Sequence, residues 1–208
     1  NTTASNNTAV GNDALQANTT GADNVAVGKG AQASSTTATK NVAIGVDALN
    51  ACTNGSSQTA VGWNALKLNT TGSSNVAVGY RALDASTTGT NCVAIGDDAL
   101  GANTTASNNT AVGYHAGTAI TTGHENVAVG ANALIATTTA DDNVAIGYYS
   151  LGVNSTGAAN TAIGHLALHN NTTASNNVAV GGNALVENTT GSDNTAVGHQ
   201  ALDANTTG

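Results

Sequence analysis

A glycine stands at every seventeenth position from one end of the chain to the other, without an insertion or a deletion. A fixed short period of this kind is the signature of one structural unit stacked on copies of itself. Twelve such units account for nearly all of the 208 residues, so we expect a single repeat domain over 1–208 with atypical caps at neither end, as in an excerpt of a longer fibre or a unit that stacks end to end. The repeated glycines are Gly11, Gly28, Gly45, Gly62, Gly79, Gly96, Gly113, Gly130, Gly147, Gly164, Gly181 and Gly198.

The side chains available for a core are small. Phe, Met and Pro are absent and aromatic residues make up 2% of the chain, so Ala, Val, Ile and Leu must fill the interior. Such a core is thin, which suits a narrow solenoid better than a rounded domain. Three Lys and one Arg in a chain of net charge −8 give no electrostatic basis for binding nucleic acid. No apolar run approaches the roughly 20 residues of a membrane span, so we expect no membrane insertion.

We number each repeat from the residue four before its glycine, so that the first repeat covers 7–23. Position 1 is Asn in ten of twelve copies, position 3 is always Ala, position 4 is Val or Ile, and position 5 is the glycine. A position that accepts so few residue types is expected to be buried, and we interpret these positions as a structural ladder along the rod. Its members in the first three repeats are Asn7, Ala9, Val10, Gly11, Ala26, Val27, Gly28, Ala43, Ile44 and Gly45.

Positions 1–5 predict a short strand. Side chains alternate along a strand, so positions 2 and 4 share one face and positions 3 and 5 share the other. We expect one face to line the interior, and we expect the Ala and Gly face to pack tightly against another copy of the chain, as around a threefold axis. Ala14 and Leu15, at positions 8 and 9, begin a second stretch that supplies Leu to the interior.

The composition favours strands over helices throughout. Thr, Asn, Gly and Val are weak helix formers, and the glycines would interrupt any helix early. The sequence therefore predicts an all-β parallel β-solenoid, or β-roll, of about twelve coils with two or three short strands in each. At about 4.8 Å a coil, the rod would be roughly 58 Å long.

The segment Asn41-Val42-Ala43-Ile44-Gly45-Val46-Asp47-Ala48 resembles the head repeat of trimeric autotransporter adhesins of the YadA type, whose signature is roughly S/N-V-A-I-G-x-x-A/S. Similar repeats occur in phage tail-fibre proteins. The resemblance implies a left-handed parallel β-roll, a homotrimer and an adhesive or structural fibre at the cell or virion surface or otherwise outside the cell. The family repeat is usually shorter, and here an Asn-Thr-Thr-Gly segment enlarges each coil. Self-association as a trimer or an end-to-end filament is the expected partnership.

Two columns of threonine, at positions 13 and 14, suggest a second function. Regular hydroxyls and methyls on a β-solenoid are typical of ice-binding proteins, so an ice surface is the alternative partner to a cell surface or a glycan. Because neighbouring residues on a strand point to opposite faces, we expect only one column to face outward. The candidate residues are Thr19, Thr20, Thr36, Thr37, Thr70, Thr71, Thr87, Thr88, Thr104 and Thr105.

Two further patterns are open to more than one interpretation. The Asn-x-Thr triplets of the Asn-Thr-Thr segments either accept glycans in a secreted protein or arise from composition alone; they begin at Asn1, Asn18, Asn69, Asn103, Asn171, Asn188 and Asn205. The aromatic residues of position 6 either form a contact strip for carbohydrate or protein, or are scattered surface residues; they are Trp63, Tyr80, Tyr114 and Tyr148.

No recurring position assembles a catalytic site. The five histidines fall at four different repeat positions, and no nucleophile, base and orienting group recur together. We therefore expect no enzymatic activity, no cofactor and no bound metal. Cys52 and Cys92 lie in different coils, separated by about 10 Å or more, which exceeds the reach of a disulfide.

Overall fold

Every repeat contributes one three-residue strand, at positions 2–4. The computed structural model describes residues 3–208, in which twelve strands, separated by eleven turns of the chain, form one parallel sheet in sequence order. The predicted all-β parallel solenoid with a seventeen-residue period is thereby confirmed. The strands are β1 Thr8–Val10, β2 Val25–Val27, β3 Val42–Ile44, β4 Thr59–Val61, β5 Val76–Val78, β6 Val93–Ile95, β7 Thr110–Val112, β8 Val127–Val129, β9 Val144–Ile146, β10 Thr161–Ile163, β11 Val178–Val180 and β12 Thr195–Val197.

Neighbouring strands pair with a register of one repeat. Ala26, for example, pairs with Ala43, and the same relationship holds for every pair of adjacent strands. Each repeat position therefore forms a column along the rod. We call the repeat that contains strand βn coil n.

Backbone hydrogen bonds also join the coils outside the strands. The N–H of Leu49 donates to the carbonyl of Ala65 at 2.9 Å, and the N–H of Thr70 donates to the carbonyl of Thr87 at 2.9 Å. These segments are nevertheless turns and bends, and the second and third strands expected in each coil do not occur in residues 3–208. The coil is therefore closed by a continuous set of turns that stack in register.

Left-handed backbone conformations explain why strands do not form at positions 8 and 9. Leu49 has a φ of 53°, and the other leucines of position 9 have similar values. This conformation breaks the alternation of a strand, so Ala48 and Leu49 are neighbours in sequence and both fully buried. The conformation costs about 1–2 kcal/mol for a residue with a side chain. Burial of a leucine side chain contributes about 1.5–3 kcal/mol, which offsets that cost.

The alanines of position 3 lie inside the coil. Ala43, Ala94 and Ala145 are fully buried against the leucines of position 9 within the same chain. The expectation that an Ala and Gly face meets another copy was therefore wrong. The small alanine is needed because the coil is narrow, and its own interior supplies the tight contact.

The glycines of position 5 belong to the corner that follows the strand. Gly113 has a φ of 139°, a region essentially restricted to glycine, and a Cβ added there would lie 2.7 Å from the carbonyl of Gly130. Close stacking along the axis and the backbone conformation both require glycine. The residue does not extend the alternation of the strand, so it does not share a face with position 3.

Candidate functional site

The side chains of positions 2 and 4 form an outward surface that runs along all twelve strands. We call this surface the valine–isoleucine face. Position 2 holds Thr or Val and position 4 holds Val or Ile, and no charged residue occurs at either. Ile44 is 41% exposed and Ile95 39%, whereas the alanines between the two columns are buried. The face is therefore an unbroken apolar and β-branched strip.

Positions 12–15 form a second surface, which we call the threonine bend. In the coil that contains Asn69, the side chain of position 12 is buried, Thr70 is half-buried, Thr71 is exposed and Gly72 is buried. Both threonine columns therefore lie on the outside, and the expectation that one of them faces inward was wrong. The alternation of a strand does not apply because these four residues turn a corner.

The two threonine columns have different hydrogen bonding. The Thr70 hydroxyl donates to the carbonyl of Thr87 at 3.1 Å, and the same bond from position 13 to the next coil recurs along the rod. At position 14, Thr88 and Thr105 are exposed, and their hydroxyls make no hydrogen bond within residues 3–208. Position 13 thus reinforces the stack, while position 14 presents free hydroxyls and methyls to solvent.

Two columns of buried amides run through the interior. At position 1, the Asn24 amide nitrogen donates to the carbonyl of Ala38 at 2.9 Å, and its oxygen accepts the backbone N–H of Asn41 at 3.1 Å. At position 12, the Asn171 amide nitrogen donates to the Asn154 side-chain oxygen at 2.9 Å. Most of these amides stabilise the corners and join successive coils, whereas the Asn103 side-chain amide makes no hydrogen bond within residues 3–208.

Burial of position 12 decides between the interpretations of the Asn-x-Thr triplets that lie in the Asn-Thr-Thr segments. Glycan transfer needs an accessible amide nitrogen. Asn205 is half-buried, and Asn1 lies outside the described residues. The remaining acceptors are 0–2% exposed in the folded coil; they are Asn18, Asn69, Asn103, Asn171 and Asn188. The folded rod therefore does not offer them as a row of glycosylation sites, and their repetition follows from the amide column.

The aromatic residues of position 6 lie on a third surface, the corner after the glycine. The rings of Trp63 and Tyr80 stack with centroids 5.0 Å apart, and those of Tyr148 and His165 stack at 5.5 Å. Each pair covers one ring face of each partner, which reduces the ring surface available to a sugar. The corner is therefore a set of local stacks, and Tyr114 instead stacks on its neighbour His115.

Residues 3–208 contain no pocket and no group of three or more metal-binding side chains. Cys52 and Cys92 are free and buried. Burial raises the pKa of the Cys52 thiol to about 11 and also raises the pKa of Cys92, which leaves both thiols poorly reactive at neutral pH. The described chain also has no helix that could cross a membrane. The extended surfaces, and above all the valine–isoleucine face, are therefore the candidate functional sites.

Comparisons of the chain with models of known protein families, with curated proteins and with solved structures found no match. The likeness to adhesin heads therefore rests on the repeat motif alone.

Proposed function

We propose that this chain is a non-enzymatic structural or adhesive fibre segment outside the cell or on a cell or virion surface, and that it assembles with copies of itself through the valine–isoleucine face. The observation that carries the proposal is the length of that face. It runs along all twelve strands without a charged residue, and its isoleucines remain more than a third exposed.

The area of the face supports self-association. Twelve strands about 4.8 Å apart, each three residues long, span roughly 58 Å by 10 Å, or about 580 Å². That value is at the upper end of the largest apolar patch on typical monomers, about 300–600 Å². Covered by a second copy, the two faces together remove roughly 1,200 Å² from water, which is where specific stable interfaces begin.

The arrangement that best fits these facts is a parallel homotrimer of left-handed coils, as the resemblance to adhesin heads implies. The valine–isoleucine face would line the threefold axis. This arrangement leaves the threonine bend and the position 6 corner on the outside of the assembly, where a cell surface or a glycan could reach them. An exterior rich in uncharged Asn, Thr and Ser suits a protein that faces the medium.

Charge introduced on the face tests the proposal. We expect a mass several times 20.1 kDa for the natural chain by light scattering. The double variant Val78→Asp and Val129→Asp, in coils 5 and 8, should be monomeric at the same concentration because an unpaired carboxylate is costly in an apolar interface. The matched control, Thr88→Asp and Thr139→Asp, places the same charges on the threonine bend of the same coils and should keep the natural mass.

A natural chain that stays monomeric at high concentration would refute assembly through this face. Circular dichroism of each variant establishes that the coil itself is folded. Loss of mass in the threonine-bend control would also contradict the proposal, because it would place the interface elsewhere.

Ice binding is a second candidate, and the threonine bend favours it. Thr88 and Thr105 are exposed in adjacent coils, beside the half-buried column of position 13. Successive threonines within each column are about 4.8 Å apart, the spacing of the strands, so a regular array of hydroxyls and methyls faces water.

A thermal-hysteresis assay tests ice binding directly. We expect hysteresis in the natural chain and its loss in the triple variant Thr105→Lys, Thr122→Lys and Thr139→Lys. The control Asp97→Lys, Tyr114→Lys and Ala131→Lys puts lysine at position 6 of the same three coils, a position that Lys29 occupies naturally. Absence of hysteresis in the natural chain at high concentration would eliminate ice binding.

A further inference from the structure

The valine–isoleucine face has an order with a period of three coils. Position 2 reads Thr, Val, Val in three successive triplets, and a fourth triplet also begins with Thr; these threonines are Thr8, Thr59, Thr110 and Thr161. Position 4 has Ile in the third coil of the first three triplets, at Ile44, Ile95 and Ile146. The last triplet departs from the order at Ile163, Thr195 and Val197.

The exposed corner does not share this order. At position 6, Asn12 is followed three repeats later by Trp63, and Val46 is followed by Asp97. Simple duplication of a three-coil unit would have carried the period to every position at first. Its retention on the valine–isoleucine face, while the corner has diverged, indicates that the face is under a constraint of its own.

Threonine is not needed there for the fold of one chain. Thr and Val have nearly the same shape and both favour strands. Thr59, Thr110 and Thr161 are half-buried, and their hydroxyls make no hydrogen bond within residues 3–208. A hydroxyl on this face becomes energetically important only when something covers it, because a covered hydroxyl needs a partner whereas a covered methyl does not.

We propose that the three-coil order sets the axial register between parallel copies of this chain that pack face to face. The inference rests on the proposed function, because it requires that copies meet through this face. In register, the threonines of one copy lie at the level of the same threonines in the next, where their hydroxyls can bond to one another. Closed cyclic symmetry along the rod axis places equal coils at equal levels.

An axial shift of one copy along another is unfavourable at several coils at once. A shift of one or two coils puts Thr110 against a valine methyl and Ile95 against a shorter valine. Each mismatch leaves a hydroxyl unpaired or a gap beside an isoleucine. A shift of three coils restores most of the order but leaves three coils of each copy uncovered. The face thus acts like the polar core positions of coiled coils, which specify register.

Cross-linking of cysteines on the face measures the register. The native thiols are first replaced by residues that occupy the same positions in other coils, as Cys52→Ser and Cys92→Asn. Val112→Cys in coil 7 and Ile146→Cys in coil 9 are then placed in two separately tagged chains, which are co-expressed and treated with a short thiol cross-linker. The two sites differ by about 10 Å along the rod. We expect same-level links, 112–112 and 146–146, to exceed 112–146 links at least tenfold.

Removal of the three-coil order should remove the preference for same-level links but should leave the chains assembled. The register variant carries Thr59→Val, Thr110→Val, Thr161→Val, Ile44→Val and Ile95→Val, and its 112–146 links should rise to within about threefold of the same-level links. The control carries Thr71→Val, Thr122→Val and Thr173→Val, which have the same three-repeat spacing on the threonine bend. The control should keep the tenfold preference.

The outcomes separate the two proposals. A monomeric mass for the starting chain overturns both assembly and register. An assembled chain with equal yields of same-level and shifted links overturns the register proposal and leaves the proposed function standing. A register variant that stays assembled and keeps the tenfold preference also overturns it, since the order would then be unnecessary.

Discussion

The side-chain oxygen of Asn143 accepts the backbone N–H of Asn160, one coil further along the rod, at 3.1 Å. The amide nitrogen of Asn143 donates to the carbonyl of Gly157 at 3.0 Å. One buried amide therefore holds two parts of its own coil together and also positions the next coil.

Replacement of Asn143 by alanine should be strongly destabilising. The change leaves the Asn160 N–H buried without a partner, at about 1–3 kcal/mol. The Gly157 carbonyl loses one bond but keeps the one from the Asn154 side chain at 2.9 Å, so its loss is about 0.5–1.5 kcal/mol. We expect the free energy of unfolding in urea to fall by about 2–4 kcal/mol. Asn12→Ala, at an exposed position where Ala131 stands in another coil, should change it by less than about 0.5 kcal/mol. A loss below about 1 kcal/mol for Asn143→Ala would show that the column is dispensable.

Alanine at a position 5 glycine should be poorly tolerated. In Gly113→Ala the backbone at a φ of 139° is strained by about 1–3 kcal/mol, and the new methyl would lie 2.7 Å from the carbonyl of Gly130. We expect a loss of more than about 3 kcal/mol in the same unfolding measurement. Gly182→Ala is the control, because an added Cβ there has no contact shorter than 3.4 Å. Equal stability of the two variants would contradict the stacking argument.

Gly117 and Ile120 should compensate for each other. Gly117 stands where most other coils have leucine, and a Cβ added to it would lie 3.1 Å from Cδ1 of Ile120, which stands where most other coils have asparagine. Ile120→Asn alone removes core volume and should cost about 2–5 kcal/mol. Gly117→Leu alone overpacks the coil and should cost about 1–3 kcal/mol.

The double variant of this pair restores the usual leucine and asparagine, so it should be more stable than the sum of the single changes predicts. A double-mutant cycle in urea measures the coupling, which we expect to exceed about 2 kcal/mol. Additive effects within about 0.5 kcal/mol would show that the two residues do not share one space.

The buried thiol of Cys52 predicts a loss of stability at high pH. Desolvation raises its pKa to about 11, above the value of about 8.5 for an exposed thiol, so the unfolded chain releases this proton first. The free energy of unfolding should therefore fall from about pH 8.5 to pH 11, by roughly 3 kcal/mol for this group. The difference between the natural chain and Cys52→Ser isolates the effect. A difference that does not change with pH would mean that the thiol is solvated.

The period alone was enough to predict the solenoid, because a glycine that recurs without slippage admits few other architectures. It also predicted which columns are restricted. The orientation of those columns needed the structure. The prediction for position 3 was wrong because the interior is narrow enough for Ala43 and Leu49 to fill together, and sequence restriction alone does not distinguish a tight interior from a tight interface.

The threonine bend was mispredicted for a different reason. The two-residue alternation of a strand holds only over the three residues of each strand, and a φ of 53° at Leu49 or a bend at Thr70 and Thr71 changes the direction of the side chains. The sequence did contain one signal of the bend. Position 12, where Asn69 is buried, holds only Asn, Ser, Cys, Thr or Ile, and this restriction to short or uncharged side chains could have placed position 12 inside the coil.

The pairing of each residue with its equivalent in the next repeat makes the length of this rod adjustable in whole steps. Addition or removal of one repeat changes the reach by about 4.8 Å and leaves every remaining stacking contact intact. Only a change of three repeats would also preserve the sequence of threonine and isoleucine levels. Variants lengthened by three repeats should therefore still co-assemble with their parent, whereas those lengthened by a single repeat in mid-rod should segregate from it.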